Sequence, residues 1–503
     1  MIYNNIEYFI LNFTKIKFIG RFLLIGFICF LITRCSQKKA PSEGEVLAKT
    51  LCVSCHVFPD PSLLSKDVWM SKTLPEMGLR LGMSHHGPQY YDNKTGLDIY
   101  PKNPLLNQLD WEKLVMYYKT TAPEEIPIYK QAALSSTAIF DCQSFKYDSV
   151  PSTIITMTEY NKTDHSLYLG DGGNSSLVRV NVDGKVLESK KLNSPPVKID
   201  FKNSSSQVLT IGSLYPSNEK EGLLSLSETE IDSLIRPVDF LMKDVNQDGF
   251  EDVVVCEFGN TIGNLVWYEN LNKGSYKRHI IHPLSGSIKI KYADIDNDGQ
   301  EELLALFAQE TESLYAFVYE NNAFSIKKIV QFHPAFGVND FQLEDMNNDG
   351  LLDVIISNGD NADYSEVLKN YHGIRIYLNE DNYTFSESYF YPYHGTSKVE
   401  VVDFNLDGKQ DVLAISNFGD LTDPNFENIV LLINTGDLEF SPTRIADVPG
   451  CGWQTIDVKD FDNDGDKDVF VGAFNIKLGP PESIPKKQEN ISWILLKNRT
   501  NIK

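Results

Sequence analysis

Cys52-Val53-Ser54-Cys55-His56 places two thiols and an imidazole within a little more than one helical turn. C-x-x-C-H is the peptide to which a c-type haem is covalently attached. Each thiol adds to a haem vinyl group, and the adjacent histidine falls under the iron as proximal ligand. The plain alternatives are a disulfide or half of a zinc site, but zinc needs a second Cys/His pair at metal spacing, and none follows. One covalent haem c is therefore expected on Cys52 and Cys55, with His56 as axial ligand. The distal ligand must come from Met70, Met77, Met83, His85 or His86. Met77 leads, because it follows Leu74-Pro75, and a proline just before a thioether is the usual way of presenting methionine to haem iron. Met83 and His86 are the alternatives; Met116 is discounted as part of a packed helix.

A second set of chemistry-bearing residues repeats five times with the spacing D-x-[D/N]-x-D-G-x-x-[D/E]. The members are Asp244-Asn246-Asp248-Asp252, Asp294-Asp296-Asp298-Glu302, Asp345-Asn347-Asp349-Asp353, Asp403-Asn405-Asp407-Asp411 and Asp460-Asp462-Asp464-Asp468. Oxygen side chains at alternating positions of a tight loop converge on one point, the glycine permits the turn, and the last acid closes the shell. Hard oxygen ligands in that arrangement select Ca²⁺, so up to five Ca²⁺ ions are expected. The loops are shorter than an EF-hand loop. Each runs into a β-branched stretch such as Asp252-Val253-Val254-Val255, which is strand, not helix.

The elements that must carry these loops follow from their spacing. Loops start at 244, 294, 345, 403 and 460, a period of 50 to 58 residues, the size of one four-stranded propeller blade. Each loop leads to an inner strand, then a turn, then a strand ending in Asn, such as Leu265–Asn270 or Ile374–Asn379, then a fourth strand such as Tyr276–Ile281. Two degenerate units precede the five, from Ser166 and from Val197, so seven blades are expected. The last unit ends after its third strand. The segment near residues 136 to 147 is the candidate for the missing outer strand.

The N-terminus concerns location. Lys15, Lys17 and Arg21 precede an apolar run from Phe22 to Ile32 that ends at Cys35, signal-peptide length and short for a transmembrane helix. Export is expected, with the chain membrane-anchored at the cell surface or in the periplasm. After removal of that segment about 470 residues remain, enough for two unequal domains. The formal charge is −23; losing the four basic residues and one acid of residues 1–34 makes it −26, and five Ca²⁺ ions would bring that to −16. Such a surface repels nucleic acid. Cys256 reads as a buried strand thiol; Cys142 and Cys451 are either a pair or two separate thiols.

On these motifs the chain resembles known families. Residues 150–503 are similar to the FG-GAP/VCBS repeat family of calcium-binding propellers related to integrin α subunits, with Asp460–Val469 the nearest match to its pattern. Residues 40–127 resemble a small all-α cytochrome c domain, through Cys52–Pro61, Leu74–Gly78 and Trp111–Pro123. The sequence before Cys35 resembles a bacterial lipoprotein signal, which implies lipidation of Cys35; Arg34 departs from it, standing where a small residue is expected. The implied layout is a signal or anchor over 1–35, the haem domain over 40–127, a linker over 128–149 and an all-β propeller over 150–503.

Function is expected to be electron transfer, with a redox partner protein and the propeller docking that partner, or a protein or glycan ligand. The alternatives are a surface-binding propeller with an accessory haem, and a propeller dehydrogenase passing electrons to the fused haem. No Ser/His/Asp arrangement, phosphate loop or paired-acid motif stands apart from the calcium loops, so an electron carrier is favoured over an enzyme. Longer insertions in blades five and six bring Asp360, Asp363, Tyr364, His372 and Arg375 forward as pocket candidates.

Overall fold

The computed structural model describes residues 40–83, 100–147, 154–202, 205–272, 274–309, 311–359, 368–420, 423–474 and 491–501. Cys35, His85, His86, Asp360, Asp363 and Tyr364 lie outside them. Among the described residues no helix is long and apolar enough to cross a membrane.

Residues 43–121 contribute helices and no strand among the described residues. Helix α1 (Glu43–Leu51) starts at Ser42, whose hydroxyl accepts the Glu45 N–H at 3.1 Å, with Glu43 and Glu45 in its first turn. It runs into a 3₁₀ turn over Cys52–Ser54. A short α2 (Lys66–Val68), a π turn over Trp69–Thr73 and α3 (Leu74–Arg80) follow. Helix α4 (Gln108–Thr121) is capped by Asn107, which accepts the Asp110 N–H at 2.9 Å. Helices α1 and α4 pack where Gly44 meets the Lys113 carbonyl; a Cβ there would lie 2.1 Å from that oxygen. Glycine is needed for the approach of two backbones, not for a turn. Ala48, Trp69, Leu74, Trp111, Leu114 and Tyr118 form the core. Each large side chain contributes roughly 1.5–3 kcal/mol on burial.

The rest is a seven-bladed propeller. Strands β1 (Ser135–Thr137) and β2 (Phe140–Phe145) come first. Blades one to six are β3–β6 (155–191), β7–β10 (196–234), β11–β14 (237–282), β15–β18 (287–331), β19–β22 (338–392) and β23–β26 (396–445). Blade seven is β27–β29 (453–498) completed by β2, antiparallel to β29 from Phe140 opposite Asn498 to Phe145 opposite Trp493. Within 128–149, read from sequence as linker with a candidate closing strand, β2 thus closes the ring, while β1 pairs in parallel with β26 of blade six. Pairing β29 with β2 gives blade seven its fourth strand and ties the last blade to the start of the propeller chain. The strand after each acidic loop is the second from the axis; the innermost strand precedes the loop. Cys142, Cys256 and Cys451 are separate thiols.

The innermost strands of neighbouring blades touch around the axis. All seven bulge after their first residue, which places Met157, Lys198, Asp239, Lys289, Asp340, Lys398 and Thr455 in one register. Two positions on come Glu159, Asp200, Leu241, Lys291, Gln342, Glu400 and Asp457. Lys198 pairs with Asp239 at 3.6 Å and Lys289 with Asp340 at 3.8 Å, so the axis is tied by charge between adjacent blades. Burial, with Asp457 nearby, pushes Glu159 up to about 7; burial, with Asp340, does the same to Glu400. Between pH of about 4.5 and 7 the folded propeller therefore holds protons that the unfolded chain has released, and stability falls as pH rises through that window. At saturating calcium, the melting temperature of Glu159→Gln/Glu400→Gln should vary less between pH 5.5 and 8 than that of the parent protein. An identical pH profile would contradict the assignment.

Candidate functional site

The Cys52–His56 peptide sits where α1 ends. The 3₁₀ turn over Cys52–Ser54 turns Cys52 into the helical core beside Tyr118, where burial pushes its thiol above the ordinary value, and leaves Cys55 exposed. His56 is buried, 7% exposed. Its Nδ1 lies 2.8 Å from the Val57 carbonyl. A carbonyl only accepts, so Nδ1 carries the proton and Nε2 presents its lone pair, the form a metal takes.

Beside this turn lies a cleft of about 690 Å³ lined by Leu47 and Leu51 of α1, by Gly82 and Met83 after α3, and by Pro104 to Gln108 and Asp110 at the start of α4. It falls in the ordinary size range of cofactor pockets, about 300–1,000 Å³; its lining is part apolar and part polar, and Cys52, Cys55 and His56 are not among the lining residues. Met83 borders the cleft and, like Met70, packs against the helical core; Met77 lies within α3 and is in neither set. The Met83 N–H donates to the Gly78 carbonyl at 2.8 Å, which holds the thioether-bearing residue close to the end of α3.

The five acidic loops share one geometry. The first aspartate accepts two loop N–H groups, as Asp345 does from Asp349 at 3.1 Å and Gly350 at 2.8 Å. The third acid accepts the N–H two residues on, as Asp349 does from Leu351 at 2.9 Å. Gly249, Gly299, Gly350 and Gly408 have φ of 86 to 90° with nothing within 4 Å of an added Cβ. The conformation, not space, requires glycine there. In blade four, carboxylate oxygens of Asp294, Asp296 and Glu302 lie within 4.8 Å of one another, as do those of Asp460, Asp462 and Asp464 in blade seven. Asp296 Oδ1 is buried without a hydrogen-bond partner. That orphaned anionic oxygen among converging carboxylates fits a Ca²⁺ ligand. Asn replaces the second acid in blades three, five and six, and there its amide donates to the next aspartate. In blade six the Lys409 ammonium also lies 3.1 Å from Asp407 Oδ2, holding Asp407 below its ordinary value despite some burial.

The closing acids have a further job. Asp252, Asp353, Asp411 and Asp468 are all but fully buried. One oxygen takes the N–H of the residue after the first loop acid; the other takes the N–H of the Asn ending the third strand, as with Asp411 to Phe404 at 3.1 Å and Asn434 at 2.8 Å. Each thus staples the loop to two strands. Burial pushes Asp353, Asp411 and Asp468 up to about 6. The recurrent strand-end Asn, visible in the sequence but unexplained there, completes the staple. The Asn498 amide donates to the Phe404 carbonyl of the neighbouring blade at 2.9 Å.

Of the insertion residues read as pocket candidates, His372 and Arg375 fall among the described residues. His372 and Arg375 are buried, 3% and 4% exposed. The Arg375 guanidinium lies 4.1 Å from the rings of both Phe336 and Phe390 and bonds Asn358 and the Tyr371 carbonyl. Arg375 thus ties Phe336, Asn358, Tyr371 and Phe390 together inside blade five. Its outer residues clamp the chain leaving the helical region. Asn370 bonds both the Pro127 carbonyl and the Tyr129 N–H, and His394 bonds the Tyr129 carbonyl at 3.0 Å. From blade six, the Glu427 N–H donates to Gln131 at 2.9 Å. No sequence motif marks these contacts, because each is a backbone group met by a side chain some 240 or more residues away.

Comparison with known proteins agrees with the propeller. The FG-GAP-like repeat matches residues 244–305, 294–356, 345–414 and 403–471, so the chain carries FG-GAP repeats on a seven-bladed β-propeller. No curated protein matches. Among solved structures, a virginiamycin B lyase from Staphylococcus aureus is 10% identical with a TM-score of 0.45, covering 71% of this chain and 98% of its own. A streptogramin B lyase is 10% identical with a TM-score of 0.47, covering 72% and 100%.

Proposed function

We propose that this chain is an exported, membrane-anchored electron carrier in which a cytochrome c-like haem domain rides on a calcium-binding FG-GAP propeller. The observation that carries the reading is His56, buried directly after two thiols with its Nδ1 turned to the Val57 carbonyl, which leaves Nε2 as the nitrogen for a metal. Cys52 and Cys55 would attach haem covalently and His56 would bind its iron. When bound, haem supplies a one-electron iron couple. Leu47 and Leu51 supply an apolar wall to the cleft, and the Val57 carbonyl holds the proton on His56 Nδ1. Of the candidates Met77, Met83 and His86, we place Met83 first as distal ligand because it borders the cleft next to Leu51. His/Met ligation leaves no open position, which suits outer-sphere transfer to a redox partner protein. The Ca²⁺-stiffened propeller serves as the platform that docks that partner, or a protein or glycan ligand. Cys35 is the proposed lipidation site.

The distal assignment has a direct spectroscopic test. Ferric His/Met haem gives a weak near-infrared band from sulfur coordination. Met83→Ala should abolish that band, whereas Met77→Ala should keep it. Loss of the band in Met77→Ala with Met83→Ala unchanged would reverse the assignment, and loss in neither would point to His86.

A further inference from the structure

The peptide that follows His56 is held carbonyl by carbonyl. The Val57 oxygen is taken by His56 itself, Pro59 by the Tyr118 hydroxyl at 2.8 Å and Pro61 by the Trp69 indole N–H at 2.9 Å. These holders belong to the helical region. Two others belong to the propeller: His333 Nε2 lies 3.0 Å from the Phe58 carbonyl, and the Tyr371 hydroxyl donates to Leu63 at 3.1 Å.

His333 lies between the outermost strand of blade four and the innermost strand of blade five, and Tyr371 between the second and third strands of blade five. Such connections lie on the face opposite the acidic loops, which join first strands to second. The helical region and the calcium loops therefore occupy opposite faces of the propeller.

The tautomer of His333 is settled by its two neighbours. Nδ1 accepts the Ala335 N–H at 3.3 Å, so Nε2 bears the proton and donates to Phe58. Burial holds His333 below the ordinary histidine value, in keeping with a neutral ring that uses one donor and one acceptor. The ring also packs on Phe336, which stacks on Tyr371 at 5.6 Å. The donor is thus fixed by propeller packing, and none of the cleft-lining residues takes part in it.

We propose that His333 is a positioning residue for the haem peptide: by holding the Phe58 carbonyl it fixes, from the propeller, the orientation of the His56 ring two residues earlier. The proposal rests on the haem reading above. It makes the propeller part of the iron's environment, through an outer-shell contact to the backbone that carries the axial ligand.

The test uses the full-length protein with its haem. His333→Phe keeps a ring against Phe336 and removes the donor, His333→Gln restores an N–H donor, and Tyr371→Phe removes the other propeller bond. Haem content is measured first, then the midpoint potential and the ferric low-spin electron paramagnetic resonance spectrum. The expected result is unchanged haem content throughout, a shifted potential and broadened signal in His333→Phe, recovery in His333→Gln, and parent values in Tyr371→Phe. If His333→Phe does not accumulate, His333→Asn, whose shorter amide does not span to Phe58, takes its place. Parent potential and spectrum in the donor-less variant overturn the proposal. An equal shift in Tyr371→Phe also overturns it, since seating in general would then be responsible. A parent protein without haem overturns the reading beneath it.

Discussion

Replacing both thiols, Cys52→Ala with Cys55→Ala, is expected to abolish covalent haem altogether. The two sulfurs differ in environment: Cys52 is half-buried against Tyr118, Cys55 is exposed on the far side of the 3₁₀ turn. Single substitutions should therefore leave a residual, less stable adduct, and the double substitution none. The readout is peroxidase-active staining of the chain after denaturing electrophoresis, which detects only covalently held haem. The fold should survive in part, because the core formed by Trp69, Trp111, Leu114 and Tyr118 does not depend on either thiol. A full haem signal in the double variant would remove the basis for the electron-carrier reading.

Chelation of calcium should lower the propeller's melting temperature by a large margin. Without metal, Asp294, Asp296 and Glu302 confront one another within 4.8 Å, as do Asp460, Asp462 and Asp464. A site held at a hundredfold excess over its dissociation constant contributes about 2.7 kcal/mol. Loss of two such sites corresponds to a shift on the order of 10 °C for a domain of this size. Filling should be uneven, since ligand charge sets affinity. Blades four and seven should fill first, and blade six last, because Lys409 already neutralises Asp407. Asp462→Ala should cost stability only when calcium is present. Asp468→Ala should cost about 2–4 kcal/mol with or without it, because it strands the Phe461 and Asn498 N–H groups. Indifference of the melting temperature to a strong chelator would reduce the loops to acidic turns.

The propeller was legible because its repeat is local. D-x-[D/N]-x-D-G followed by a β-branched run is a loop-to-strand signal, and five copies at blade spacing fix the architecture. The innermost strands were harder to read. In blade four Lys289 and Lys291 alternate with Ile288 and Ile290, an ordinary half-exposed pattern whose charges are in fact balanced across a closed axis. The Cys52–His56 motif is legible in the sequence, but the arrangement of the methionines around it is not: the proline before Met77 opens α3, which carries Met77, while Met83 borders the neighbouring cleft. Arg375 looked like a loop residue because its burial depends on Phe336 and Phe390, which are distant in sequence or separated by a strand reversal. His333 carries no signal at all, since its partner is a backbone carbonyl 275 residues earlier.

The most direct test of the central claim is a spectroelectrochemical titration of the purified full-length protein, paired with its intact mass after denaturation. The account predicts a single reversible one-electron wave, with α-band absorbance following the reduced fraction, and a chain mass that exceeds the polypeptide by one haem. A colourless protein whose mass is that of the polypeptide alone would contradict it.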